Sequence, residues 1–124
     1  MKSKAAFEVE VDPGRNLVRT RYTGAVTVVE MKLGILDAER LLPTMQAGFT
    51  VLADLSGLEA MDLECGPQLS IIMELCKAHG VGRVIRVIPD PAKDSCLTIL
   101  SLIHYRGKVQ LVTCETLAEA ERVL

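Results

Sequence analysis

The segment Thr50–Leu55 constrains the fold more than any other part of the chain. Its residues are nearly continuously apolar, whereas a strand with one face in water alternates apolar and polar side chains. Such a run predicts a strand that is buried on both faces, within a parallel sheet that has helices on either side. Gly57 is expected to end this strand. The pattern therefore places the chain in the α/β class.

Four further strands and four helices complete the predicted fold. The strands Phe7–Val11 and Leu17–Tyr22 are separated by the turn sequence Asp12–Gly14, so we expect an antiparallel hairpin. The other elements are predicted as strands at Val84–Ile88 and Val109–Val112, and as helices at 28–42, 67–79, 93–105 and 117–124. We expect a mixed, mostly parallel sheet of about five strands with four helices, joined by right-handed crossovers. The length of 124 residues fits a single domain spanning residues 1–124.

Two helix starts carry a capping-box sequence. In Thr27–Glu30 and again in Thr116–Glu119, the threonine hydroxyl can accept from a first-turn amide. The glutamate three residues later can reach back to the amide of the threonine. Inside the first helix, Gly34 is expected to lower helix stability slightly, because glycine loses more backbone freedom than other residues.

Charge and composition exclude several classes of partner. The net charge is −2, from 14 basic and 16 acidic residues, whereas a phosphate backbone requires a basic face. Two Phe, two Tyr and no Trp are too few to stack on single-stranded bases, and they imply an aliphatic core. Arg15, Arg19 and Arg21 occupy alternating strand positions and are interpreted as a solvated face. We therefore expect no nucleic-acid partner.

The remaining composition favours a cytoplasmic protein without a cofactor. No apolar stretch reaches the roughly 20 residues that span a bilayer, and the start Met1–Lys4 lacks the apolar run of a signal peptide. The cysteines form no CxxC pair and match no zinc spacing, so they are interpreted as reduced thiols. Cys76 and His79 would supply only two metal ligands. Because no catalytic constellation occurs either, we expect no metal, no cofactor and no enzymatic activity.

The start of the second predicted helix, Asp62–Gly66, is the leading candidate site. Free backbone amides and the positive end of the helix dipole favour a negative group at such a position. The same residues could instead form a cap, in which Asp62 or Glu64 satisfies the first-turn amides. A helix start also favours the thiolate form of a cysteine, so a redox role for Cys65 is a third hypothesis, which the neighbouring Glu64 disfavours.

The run from Val51 to Asp62 resembles the strand and loop of the STAS family, the fold of bacterial anti-sigma-factor antagonists. That family typically has an apolar strand, Asp-Leu-Ser, a few residues and then an Asp before a helix, as in Asp54–Ser56 and Asp62 here. Members with a regulatory serine carry Asp-Ser-Ser-Gly at this helix start. Here Cys65 stands in the place of the serine and no hydroxyl remains. The pattern is more similar to the SpoIIAA-like, STAS/Sec14-like branch, which lacks the phosphoacceptor.

The predicted helix at 93–105 is apolar on nearly all sides, as in Cys96–Ile103. A helix that packs on one sheet face needs only one apolar stripe, so the excess suggests a second buried surface. That surface could be a dimer contact, a partner groove, a small apolar pocket or a deep contact with the neighbouring helix.

The resemblance implies a regulatory module that docks a protein partner or a second copy of itself, without chemistry. Its candidate partner-binding residues are Asp62, Glu64, Cys65, Gly66, Leu97 and Leu100. The alternative function is a binder or carrier of a lipid or small apolar ligand, as the Sec14-like side of the resemblance implies.

Overall fold

Five strands form one sheet in the computed structural model, which describes residues 4–89, 105 and 109–124. The strands are β1 (Ala6–Asp12), β2 (Leu17–Val26), β3 (Thr50–Met61), β4 (Arg83–Val87) and β5 (Gln110–Cys114). They lie side by side in chain order. β1 is antiparallel to β2, and all other neighbours are parallel. The predicted mixed sheet with one antiparallel edge is therefore confirmed.

Three α-helices lie in the described ranges: α1 (Val28–Leu41), α2 (Gly66–Ala78) and α3 (Leu117–Val123). The predicted capping box is complete at Thr27, whereas at Thr116 the described bonds show only the half in which the threonine accepts. Glu30 Oε1 accepts from the Thr27 amide at 2.9 Å, and the Thr116 hydroxyl accepts from the Glu119 amide at 3.2 Å. The predicted helix at 93–105 lies outside the described residues, apart from its last position. No helix in the part of the chain described here has the length and apolar character needed to cross a membrane.

β3 is 12 residues long, so the expectation that Gly57 ends it is wrong. Gly57 pairs with Thr23 of β2, and the strand continues to Met61. The register shifts just before this pair, at Leu55 and Ser56. There the Asp54 carboxylate accepts from the amide of Ser56 at 2.9 Å and from its hydroxyl at 2.6 Å. These side-chain bonds stabilise the bulge at the register shift, and the strand continues beyond Gly57.

α1 and α2 cover the same face of the sheet and form the larger core. α1 approaches β1 closely at Gly34, where an added Cβ would meet the ring of Phe7 and lie 2.8 Å from its carbonyl oxygen. The Phe7 ring itself packs on Tyr22, with ring centroids 4.8 Å apart. The glycine that weakens the helix by its propensity is therefore the residue that allows the helix to reach the sheet.

The opposite face is covered in part by the short helix α3. Ala120 packs there against β-strand residues such as Leu52 and Ile85. An ion pair of 2.6 Å between Arg19 and Glu121 fastens the helix to β2. The β1–β2 half of this face is polar, with Arg21 opposite Glu8 in the register. Arg21 and Arg15 are exposed as predicted, although Arg15 lies in the 3-10 turn Pro13–Arg15 before β2, whereas Arg19 is half-buried and paired with Glu121 and so is not part of a solvated face.

Candidate functional site

The turn Asp62–Gly66 joins the end of β3 to the start of α2, at the place where the sequence predicted a site. Leu63–Cys65 form a single 3-10 turn. Backbone bonds fix it on both sides: the Asp62 amide donates to the Val26 carbonyl at 3.3 Å, and the Cys65 amide donates to Asp62 O at 3.0 Å. We call Asp62–Gly66 the anchored turn.

Cys65 is the internal anchor of this turn. Its side chain is 0% exposed, and its Sγ lies 3.7 Å from the Val26 carbonyl oxygen. The thiol therefore faces β2 and not solvent, which corrects the expectation that a partner contacts Cys65 directly. Burial also removes the access that a redox-active thiol requires.

The acidic residues of the anchored turn point into solvent. Asp62 and Glu64 are both exposed. Asp62 makes no side-chain cap bond, and the N-cap position of α2 is Cys65, whose side chain does not cap either. The capping interpretation is therefore wrong for Asp62. Within the described ranges no hydrogen bond or ion pair engages the carboxylate of Glu64, so both charges are available at the surface.

Leu63 is the residue of this site that sequence reasoning missed. It lies between the two carboxylates and its side chain is 88% exposed, more than any other large apolar residue in the described part of the chain. Its place in the sequence could have indicated this, because Leu63 precedes the inward-facing apolar stripe of α2, which begins at Leu69. Gly66 is partly buried and begins α2. Leu97 and Leu100, the other predicted contact residues, lie outside the described residues.

A small, largely apolar cavity with a few polar groups in its wall lies beneath α2, on the inner side of the sheet. It has a volume of about 30 Å³ and is lined in part by Thr20, Tyr22, Cys76, Arg86 and Tyr105. Burial raises the pKa of the Cys76 thiol to about 12 and raises the pKa of both tyrosines. Arg86 donates to the Thr113 hydroxyl at 2.7 Å. The volume suits a water molecule or two, whereas ligand pockets measure roughly 300–1,000 Å³.

The carrier hypothesis rests on the helix at 93–105, which lies almost wholly outside the described residues 4–89, 105 and 109–124. These residues contain no group of three or more His, Cys, Asp or Glu side chains that could hold a metal ion. Cys76 is buried in the core, and His79 caps the other end of α2. Cys65, Cys76 and Cys114 are free thiols, as predicted, and all three are buried.

A mixed five-stranded sheet with this topology also occurs in solved proteins that have a SpoIIAA-like fold. The fold matches an uncharacterized protein of the DUF3478 family with a SpoIIAA-like fold from Shewanella loihica, with a TM-score of 0.66 and 14% identity over 100% of this chain and 98% of that one. It also matches an anti-sigma factor antagonist from Mycobacterium paratuberculosis, with a TM-score of 0.61 and 17% identity over 99% and 97%.

The cell fate determinant SpoIIAA of Bacillus, in its phosphorylated form, has a TM-score of 0.60 and 17% identity over 96% of this chain and 100% of that one. No family model matches the chain, and no curated protein is a significant match. The chain therefore has the SpoIIAA-like fold that its sequence resemblance implied, and the likeness at these identities is one of fold.

Proposed function

We propose that this protein is a non-enzymatic regulatory module that docks a protein partner through the anchored turn. Leu63 carries the proposal, because its side chain is 88% exposed between two exposed carboxylates. Burying an apolar side chain against a partner is favourable. The complex would not lose free energy to the ordering of a loop, because the turn is already ordered. The backbone bonds to Val26 and the buried Cys65 already hold the turn in place.

The side chains of the anchored turn indicate which surface on the partner would be complementary to it. An apolar pocket would accept Leu63, and a basic rim would face Asp62 and Glu64. Two of the solved proteins with this fold are named for regulation, one as an anti-sigma factor antagonist and one as a cell fate determinant. We therefore propose an anti-sigma factor or a related regulator in the bacterial cytoplasm as the partner. The buried free thiols are consistent with that reducing compartment.

Docking at the anchored turn is proposed to be constitutive. The Bacillus SpoIIAA was solved in a phosphorylated form, whereas the sequence Asp62-Leu63-Glu64-Cys65-Gly66 has no hydroxyl to modify. The two carboxylates give the turn a permanent negative charge. A partner that recognises this surface would bind without a kinase.

The test measures binding of purified anti-sigma factors encoded in the same genome, by biolayer interferometry. Three forms of the protein are compared: wild type, Leu63→Asp and Ile71→Asp. Ile71 is the matched control, because it is an apolar residue of α2 that is 44% exposed and lies beyond the turn. We expect wild type and Ile71→Asp to bind alike, and Leu63→Asp to bind at least about 100-fold more weakly.

Equal binding by Leu63→Asp would show that the anchored turn is not the docking site. Absence of binding to every anti-sigma factor tested would contradict the proposed partner class. Thermal unfolding of Leu63→Asp separates a local effect from misfolding, because an exposed substitution should leave the melting curve unchanged.

A further inference from the structure

The outer face of α1 carries a stripe of apolar side chains that the protomer leaves in water. Val29, Leu33 and Leu36 are 65%, 60% and 62% exposed. They are spaced by four and three positions, so they follow one side of the helix over two turns. The inner side of α1 is already buried, with Met31 and Ile35 in the core. We call Val29, Leu33 and Leu36 the α1 stripe.

The acidic side chains on one flank of the α1 stripe are already engaged within the helix. Glu30 and Asp37 are seven residues apart and lie on this side. Glu30 accepts from the Thr27 amide at 2.9 Å as part of the cap. Asp37 lies 3.5 Å from the guanidinium of Arg40. These charges have partners before anything approaches the stripe.

The other flank carries one positive and one negative charge. Lys32 and Glu39 are also seven residues apart, and both are exposed. Among the described residues neither side chain forms an ion pair. When two copies of a helix pack antiparallel around a twofold axis, each flank faces the same flank of its twin in reverse order. Lys32 of one copy then lies on the same flank of the interface as Glu39 of the other copy. The twofold axis generates a second, equivalent Lys32–Glu39 pair.

The support beneath the stripe is rigid. α1 is seated on the sheet by the close contact of Gly34 with Phe7, and its first turn is fixed by the capping box. Antiparallel packing also sets opposite helix dipoles side by side, which favours this orientation over the parallel one. The stripe and its open flank are thus preformed and self-complementary.

We propose that the α1 stripe is a self-association surface, on which a second copy of this chain docks with its own α1 antiparallel. Val29, Leu33 and Leu36 of the two copies pack together, and Lys32–Glu39 pairs close one rim. This interface goes beyond the proposed function, because it uses a different helix and a different occupant from the anchored turn. Its small area predicts a monomer–dimer equilibrium and not a permanent dimer.

Sedimentation velocity from about 1 µM to about 1 mM protein tests the proposal. We expect wild type to pass from monomer to dimer across this range. Leu33→Asp should raise the dissociation constant at least about 100-fold, because it buries an unpaired charge. Leu63→Asp, which alters only the anchored turn, should dimerise like wild type. A wild type that stays monomeric, or a dimer unaffected by Leu33→Asp, would overturn the proposal.

A charge swap tests the antiparallel orientation. Lys32→Glu and Glu39→Lys should each weaken the dimer, since each places like charges along one rim. The double variant should restore the dissociation constant of wild type, and the single variants should lose their defect at about 500 mM salt. A double variant as weak as the sum of its parts would refute the pairing. Binding of an anti-sigma factor by Leu33→Asp reports on the anchored turn separately.

Discussion

Replacing Gly34 with alanine should destabilise the protein, although helix propensity alone predicts the opposite. Gly34 lies inside α1, where alanine is favoured over glycine by about 1 kcal/mol. An added Cβ would meet the ring of Phe7 and would stand 2.8 Å from the Phe7 carbonyl oxygen. The ring cannot easily turn away because it packs on Tyr22 at 4.8 Å. The carbonyl belongs to β1, so the helix or the edge strand must shift.

The magnitude follows from these opposing effects. Overpacking of this kind costs about 1–3 kcal/mol, and contact with backbone places the case toward the upper part of that range. After subtraction of the propensity gain of about 1 kcal/mol, the free energy of unfolding should fall by about 1–2 kcal/mol. For a domain of this size, the midpoint of thermal unfolding should fall by roughly 3–8 °C.

Guanidinium denaturation followed by circular dichroism measures the difference, with Gly14→Ala as control. A Cβ at Gly14 would meet only the Asp12 carboxylate at 3.5 Å, so that variant should not be destabilised by steric contact. The double variant Phe7→Leu with Gly34→Ala should lose less than the sum of the single changes, because the smaller side chain makes room. A Gly34→Ala protein as stable as wild type, or more stable, would refute the close contact described between α1 at Gly34 and β1 at Phe7.

Three further outcomes follow from the described contacts. The bond to Arg19 holds the pKa of Glu121 below its usual range, so the bridge stabilises above that pKa and is lost as pH falls through it. Glu121→Gln should therefore cost under about 1 kcal/mol near pH 7 by denaturant titration, and nothing at low pH or high salt. Cys65 and Cys76 should alkylate slowly in the native protein and rapidly after unfolding, as measured by peptide mass spectrometry, and fast native labelling of either would contradict their burial. Leu63→Asp should change the free energy of unfolding by less than about 0.5 kcal/mol; a larger loss would mean that this side chain packs in the fold.

The sheet and the helices that pack on it could be predicted because burial leaves a pattern in the sequence. The continuous apolar run at Thr50–Leu55 became the central strand, and the Thr27 and Thr116 boxes became helix starts. The end of β3 could not be predicted in this way. Glycine usually signals a break, but here an Asp54–Ser56 bond and a register shift carry the strand through Gly57.

The strand-to-helix turn of the candidate site could be predicted, whereas the orientation of its side chains could not. A strand that runs into a helix start marks a place for a site by topology alone. Whether a side chain at that turn faces inward depends on contacts with β2, which is distant in sequence. The fold turns Cys65 toward Val26 and leaves Leu63 in water, a division that no local pattern encodes. The α1 stripe was also missed, because the inward stripe of the same helix accounts for its periodicity.

The carbonyl group of Val26 gives the anchored turn a physical connection to α1. It receives the amide of Asp62 and the thiol of Cys65, and the next residue, Thr27, caps α1. We therefore expect a partner that displaces the turn to disturb the bonds of Val26, next to the cap of α1. The Met31 amide donates to Thr27 O at 3.2 Å. We expect hydrogen exchange of the amides at the start of α1 to respond when a partner binds the turn. Their hydrogen-exchange rates would register occupancy of the turn from the neighbouring element, without a label on the docking surface itself.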